Sequence, residues 1–277
     1  MSERGELDFT QGSFAVVICG PRRVEHRALR YTERGMVDAA KRGSPRALAR
    51  LIGGLYLYIM VAAMFAEAFV RDKLIVAGDP AATARNIASS ERLWRWGVAA
   101  DVSTILCDVA VAALLLILLR PVSQTASFSA AFFRLAYSAT MAASAAFLVA
   151  PQLLLGDTAH GPSSEEVQSL VSYSLRLHGA AFDIALTLFG VHLVLVGALI
   201  ARSTFLPRLL GAALAIAGVC YVANSFIGFV SPAFASRLFP WILLPGFLAE
   251  GALALWLLIA GVNVQRWFAL SRAAETG

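Results

Sequence analysis

The stretch that decides the fold runs from Leu175 to Arg202, LRLHGAAFDIALTLFGVHLVLVGALIAR. It is apolar enough to cross a bilayer as one helix, because a hydrocarbon core of about 30 Å takes about 20 residues at 1.5 Å of rise each. Yet it carries Arg176, His178, Asp183 and His192. A charged side chain at the centre of a membrane helix costs roughly 2.5–3.5 kcal/mol on insertion scales, so such groups face other helices or a wet cavity. Helical spacing sorts the four into two stripes. Arg176 and Asp183 share a face with Ala180, Thr187, Gly190 and Gly197, a seam of small residues that lets a neighbouring helix come close. His178 and His192 share a second stripe with Phe182, Ala185 and Phe189 between them. The rest of the chain is expected to pack around this helix.

Composition agrees. The 277 residues are 58% hydrophobic and 15% charged, with a mean hydropathy of +0.70, far too apolar for an ordinary soluble domain. The charges gather between the apolar runs, which is the distribution of a polytopic helical membrane protein. The net charge of +5 does not point to nucleic acid, because the basic residues flank apolar spans, where they orient the chain and meet anionic lipid headgroups. Cys19, Cys107 and Cys220 form neither a disulfide framework nor a metal motif; Cys107 and Cys220 read as small buried apolar residues.

Along the chain, residues 1–46 read as an Arg-rich, poorly ordered cytoplasmic tail whose one apolar patch, Phe14–Cys19, is too short to span. Met36 is an alternative start, since Glu33-Arg34-Gly35 can be encoded by a purine-rich ribosome-binding stretch. The membrane domain then covers 47–265, and 266–277 form a short cytoplasmic tail. Span 1 runs from about Ala47 to Val70, entered through Ser44-Pro45. Asp79-Pro80 starts a short extracytoplasmic amphipathic helix over about Ala81–Arg92, and Trp94 and Trp96 read as interfacial anchors. Span 2 covers about Trp96–Leu119 and closes at Arg120-Pro121; span 3 covers about Phe128–Leu155. The acidic loop that follows carries a helix-start pattern over Pro162–Glu166. Span 4 is the opening stretch. Span 5 runs from about Leu206 to Val230 and span 6 from about Trp241 to Val262. The expected fold is therefore all-α, a bundle of six transmembrane helices, without an evident repeat.

Lys41, Arg42, Arg46, Arg50, Arg120, Arg202, Arg208, Arg266 and Arg272 fall on the side of the N-terminus, and Asp157, Glu165 and Glu166 on the other. This places both termini in the cytoplasm, although Arg71, Lys73, Arg85, Arg92 and Arg95 in the first outer loop weigh against it.

Several blocks carry a resemblance. They are RLIGGLYLYIMVAAMFAEAFVRDKLIV, GDPAATARNI, LCDVAVAALLLILLRPV, AAFFRLAYS, GVHLVLVGALIARSTFLPRLLGAALAIAGVCYV and LPGFLAEGALALWLLIAGV. Together they cover about Arg46 to Val262, and the chain so read resembles the bacterial family catalogued as domain of unknown function 4386. The resemblance implies a bacterial multi-pass membrane protein, and the location expected for the chain is the cytoplasmic (inner) membrane. It carries no activity, substrate or site residues, and residues 1–35 have no place in it.

With the termini inside, most polar groups share the outer leaflet: Glu67, Asp101, Asp108, Arg176, His178, Asp183, Asn224 and Glu250. Arg134 and His192 lie on the cytoplasmic side, Arg134 close enough to the end to snorkel and His192 as a packing histidine. Glu67 and Arg71 form an i,i+4 pair. Carboxylates at one depth in a dry bundle must be protonated, pair with Arg or His, or bind a cation. One reading is a cavity, open outward, built from Asp101, Asp108, Arg176, His178, Asp183, Asn224 and Glu250, that binds a metal ion or relays protons. The other is that Arg176 and Asp183 neutralise one another, or one reaches a neighbouring helix, while the remainder bond between helices.

No catalytic motif is present, and the sequence assigns neither cofactor nor metal. Three function classes stay open: a structural or accessory membrane component, a small ion- or proton-coupled transporter, and an intramembrane hydrolase with an Asp/His/Glu metal site. The partners expected are membrane lipids and a second copy or another membrane protein, with no nucleic acid.

Overall fold

The computed structural model describes residues 44–156, 164–238 and 241–276. The expectations for the N-terminal tail and for Met36 lie outside these residues, as does Asp157. Every regular element among the described residues is a helix: α1 (Pro45–Leu74), α2 (Pro80–Ser89), α3 (Glu91–Leu119), α4 (Gln124–Gly156), α5 (Glu165–Arg202), α6 (Arg208–Val230), α7 (Pro232–Leu238), α8 (Trp241–Ile259) and α9 (Val264–Thr276). Six of them, α1, α3, α4, α5, α6 and α8, are long and apolar enough to cross a membrane. The chain is an all-α, multi-pass membrane protein.

Local chemistry sets the ends. Pro45 opens α1, where its missing N–H leaves no bond unmade. Asp79 caps α2, its Oδ1 accepting from the Ala82 amide at 2.8 Å. The Thr83 hydroxyl accepts from the Val76 amide at 2.9 Å and closes the turn. Asp79→Ala removes the cap and should cost about 1 kcal/mol, seen as faster amide exchange confined to residues 80–89; unchanged exchange there would deny the cap its role. Gly261, at φ 68, ends α8 with its amide bonded to the Trp256 carbonyl at 2.9 Å. Only a residue without Cβ takes that left-handed turn freely.

Two elements differ from their sequence reading. Helix α5 starts at Glu165, so the helix-start pattern and the apolar span form one rod of 38 residues, about 57 Å long. Its extra turns exceed a bilayer's hydrocarbon core and are polar, which is why hydropathy alone did not join them to the span. They pack against α2, with Val167, Val171 and Ile87 in one buried cluster. Trp94 is no surface anchor: it is buried in that cluster, and its indole N–H donates to the Leu148 carbonyl at 2.9 Å. Trp96 remains exposed. Part of α1, Phe65–Arg71, is wound as a π-helix.

Helix α5 is the most buried of the six spans, and α4 and α6 flank it. Against α6 the contact is backbone to backbone. A Cβ added to Gly190 would stand 2.7 Å from the Gly218 carbonyl oxygen, and one on Gly197 2.5 Å from that of Gly211. The small-residue seam read from the sequence is thus a reciprocal pair of glycine crossings between antiparallel helices.

The ends of the spans meet at one pole. Gly261 abuts Arg46, the Asn263 amide donates to the Phe205 carbonyl at 3.2 Å, and Trp267 Nε1 donates to the Leu118 carbonyl at 2.9 Å. The C-terminal segment is therefore a docked helix, anchored through a buried Trp267.

Candidate functional site

Among the described residues, the one charged group among the largest fully buried side chains is the Arg134 guanidinium. Arg134 lies about ten residues into α4, and three partners lie at the same level. Tyr56 is about eleven residues into α1, Asp108 about eleven before the end of α3, and His192 ten before the end of α5. That is about 15 Å from the pole where those ends meet, half the thickness of a hydrocarbon core. A side chain so deep cannot snorkel, so Arg134 turns inward and is fully buried. The cytoplasmic-end position expected for it gives way to a central one.

Its hydrogen bonds fix the network. Arg134 Nη2 donates to Asp108 Oδ1 in a buried ion pair. Nη1 donates to Tyr56 Oη at 2.6 Å and meets His192 Nε2 at 3.1 Å. His192 Nδ1 lies 2.8 Å from the Ala130 carbonyl, which only accepts, so the proton is on Nδ1 and Nε2 accepts from the arginine. His192 is a neutral, doubly bonded histidine. The guanidinium also lies over the rings of Tyr56, 4.7 Å away, and Phe189, 5.3 Å away, where the ring quadrupoles favour a cation. Among the described residues, Arg134 Nε finds no acceptor.

Phe189 carries the network across the bundle. It stacks on His192 and, at 6.1 Å, on Tyr221, and packs at a tilt against Tyr137. Tyr221 Oη donates to Glu250 Oε1 at 2.9 Å. The tyrosine fits because residue 246 lacks a side chain: a Cβ there would stand 2.0 Å from Tyr221 Oη.

A second polar layer lies farther from that pole, earlier in α3. Arg71, inside the π-helical turn, donates to Asp101 Oδ2 at 2.5 Å and to Glu67 Oε2 at 2.6 Å. The expected Glu67–Arg71 pair is present, with Asp101 as an additional partner. Nearby, Ser144 Oγ lies 2.8 Å from His178 Nδ1 and joins α4 to α5.

The candidate residues are thus distributed over several helix contacts. Asp101 meets Arg71 between α1 and α3, and Asp108 meets Arg134 between α3 and α4. His178 meets Ser144 between α4 and α5, and Glu250 meets Tyr221 between α6 and α8. Arg176 is exposed, and no ion pair joins it to Asp183 among the described residues. Seven residues on a helix is about 10 Å of rise, which puts two groups on one face without bringing them into contact. Asp183 is half-buried close to Gly228, and Asn224 is half-buried on α6. Among the described residues no three His, Cys, Asp or Glu side chains gather as a metal-holding group. The gap beside His192, walled by Ala112, Leu115, Ala130, Ala131 and Val196, has no room for a water molecule.

The sequence reading singled out neither Arg134 nor Tyr56 and Tyr221 as central. One signal was available for Arg134: it and Asp108 are each thirteen residues from Pro121, the symmetric spacing that sets two residues side by side in an antiparallel helix pair.

Residues 51–261 match the model of a family described as domain of unknown function (DUF4386). An uncharacterised protein of Archaeoglobus fulgidus is 28% identical over 157 residues, 57% of this chain and 78% of that protein. No solved structure matches.

Proposed function

The chain belongs to the DUF4386 family, and from that premise we propose that it is a structural or accessory component of the cytoplasmic membrane, with both termini inside, that works by packing with lipid and a second membrane protein or copy. One observation carries this reading: the charged groups deepest in the bundle are matched by partners from neighbouring helices, Arg134 with Asp108 and Arg71 with Asp101. A buried ion pair fixes the register of the helices that supply it, because misalignment leaves a charge unpaired at several kcal/mol. Asp101 and Asp108 lie on one stripe of α3, and each takes its arginine from a different helix. Three helices are thereby held in one alignment. The orientation is supported by Arg46, Arg50, Arg120, Arg202, Arg208 and Arg266, which occupy the ends of spans that meet at a single pole.

Reconstitution tests the reading. Proteoliposomes under an imposed proton or cation gradient are expected to leak no faster than protein-free vesicles. Gradient-driven flux that disappears in Asp108→Asn would replace the accessory reading with a transporter. A C-terminal fluorescent-protein fusion should fluoresce and the matching alkaline-phosphatase fusion should stay inactive; the reverse pattern inverts the orientation.

A further inference from the structure

We propose that Glu250 is a proton-binding site, a half-buried carboxyl held as the neutral acid where α8 packs against α1 and α6. The argument is one of charge balance. Among the described residues the central network holds a single cation, Arg134, and its hydrogen bonds go to Asp108, Tyr56 and His192. Asp108 neutralises it. His192 is neutral, because Nδ1 donates to Ala130 and Nε2 accepts from Arg134. Glu250 would then leave the network one negative charge in excess, and its hydrogen-bond partner is a neutral hydroxyl, that of Tyr221.

Among the described residues the surroundings supply no second cation. Helix α8 packs against α1 and α6. The titratable groups that face Glu250 are Tyr221 from α6 and Tyr56 from α1, with Tyr137 and Arg134 of α4 and Asp108 of α3 in electrostatic reach. Three are neutral phenols, and the other two form the Arg134–Asp108 pair. An unpaired carboxylate at the level of a membrane's middle costs several kcal/mol, and one proton removes that cost. A neutral carboxyl also suits the geometry seen, since its carbonyl oxygen accepts from Tyr221 Oη. Glycine at 246 keeps that hydroxyl in place. In this network Glu250 is the carboxyl that gains or loses a proton without breaking an ion pair.

Infrared spectroscopy of the full chain in lipid bilayers tests this. At neutral pH the wild type is expected to show a protonated-carboxyl C=O band that disappears in Glu250→Gln and persists in Asp183→Asn, with helicity unchanged in both. Should Glu250→Gln fail to fold, Tyr221→Phe keeps the carboxyl and removes its donor. The band is then expected to move to higher frequency. The proposal is overturned by a wild type without the band, by a band that survives Glu250→Gln or is lost in Asp183→Asn, or by one that Tyr221→Phe leaves in place.

Discussion

Arg134→Ala is expected to destabilise the bundle by about 3–5 kcal/mol, the cost of leaving one partner of a buried ion pair alone. Asp108 would keep its charge with no cation beside it, and Tyr56 Oη and His192 Nε2 would lose their donor together. Arg134→Lys should recover only part of the loss. The guanidinium serves Asp108 through Nη2 and the other two acceptors through Nη1, and a single ammonium nitrogen cannot occupy both positions. The informative variant is the double one. Arg134→Met with Asp108→Leu removes both charges at similar volume, and buried pairs so replaced are often neutral or better in stability. Equilibrium unfolding in mixed micelles, followed by helicity, should rank Arg134→Ala lowest, Arg134→Lys next, and the double variant near wild type. An Arg134→Ala protein as stable as wild type would remove the ion pair from its place at the centre of the fold.

The difficulty of reading Arg134 shows where sequence stops informing. The six spans were legible because apolar runs end at strong signals, Arg120-Pro121, Pro207 and Ser44-Pro45, and each of these borders a helix. The stripe of Asp101 and Asp108 was legible from helical period alone. Their partners were not, because which helices are neighbours is a property of packing that hydropathy does not encode. Depth inferred from span ends placed Arg134 near water, and a long side chain near water snorkels by default. The true depth follows from α4 beginning at Gln124, several residues before the apolar run, which moves Arg134 farther into the helix. Trp94 and Trp96 differ for a related reason. Two residues apart on a helix point in different directions, so one indole meets the Leu148 carbonyl and the other stays exposed. The glycine seam was the best-read packing feature, since Gly190, Gly197, Gly211 and Gly218 have no reason to recur at one spacing except close approach.

That seam carries the second large prediction. Gly218→Leu is expected to cost about 3 kcal/mol, at the upper end of what overpacking does. A Cβ at Gly218 would stand 2.4 Å from the Gly190 carbonyl oxygen and 2.8 Å from the Val194 amide nitrogen. Both obstacles are backbone, and backbone in a helix cannot swing aside as a flexible side chain does. The helices α5 and α6 must separate along the crossing. Gly54→Ala is the control: a Cβ there meets nothing within 4 Å, so the change should be neutral or stabilising, by up to about 1 kcal/mol of helix propensity. Unfolding of the two variants side by side separates close packing from a general effect of replacing glycine, and equal stabilities would sink the packing argument. The separation has a further consequence. Phe189 on α5 stacks at 6.1 Å on Tyr221 of α6, and Tyr221 in turn holds Glu250 of α8. Prying α5 from α6 pulls that tyrosine between two partners. Gly218→Leu should therefore disturb the Glu250 carboxyl band as well as stability, although residue 218 touches neither carboxylate nor arginine.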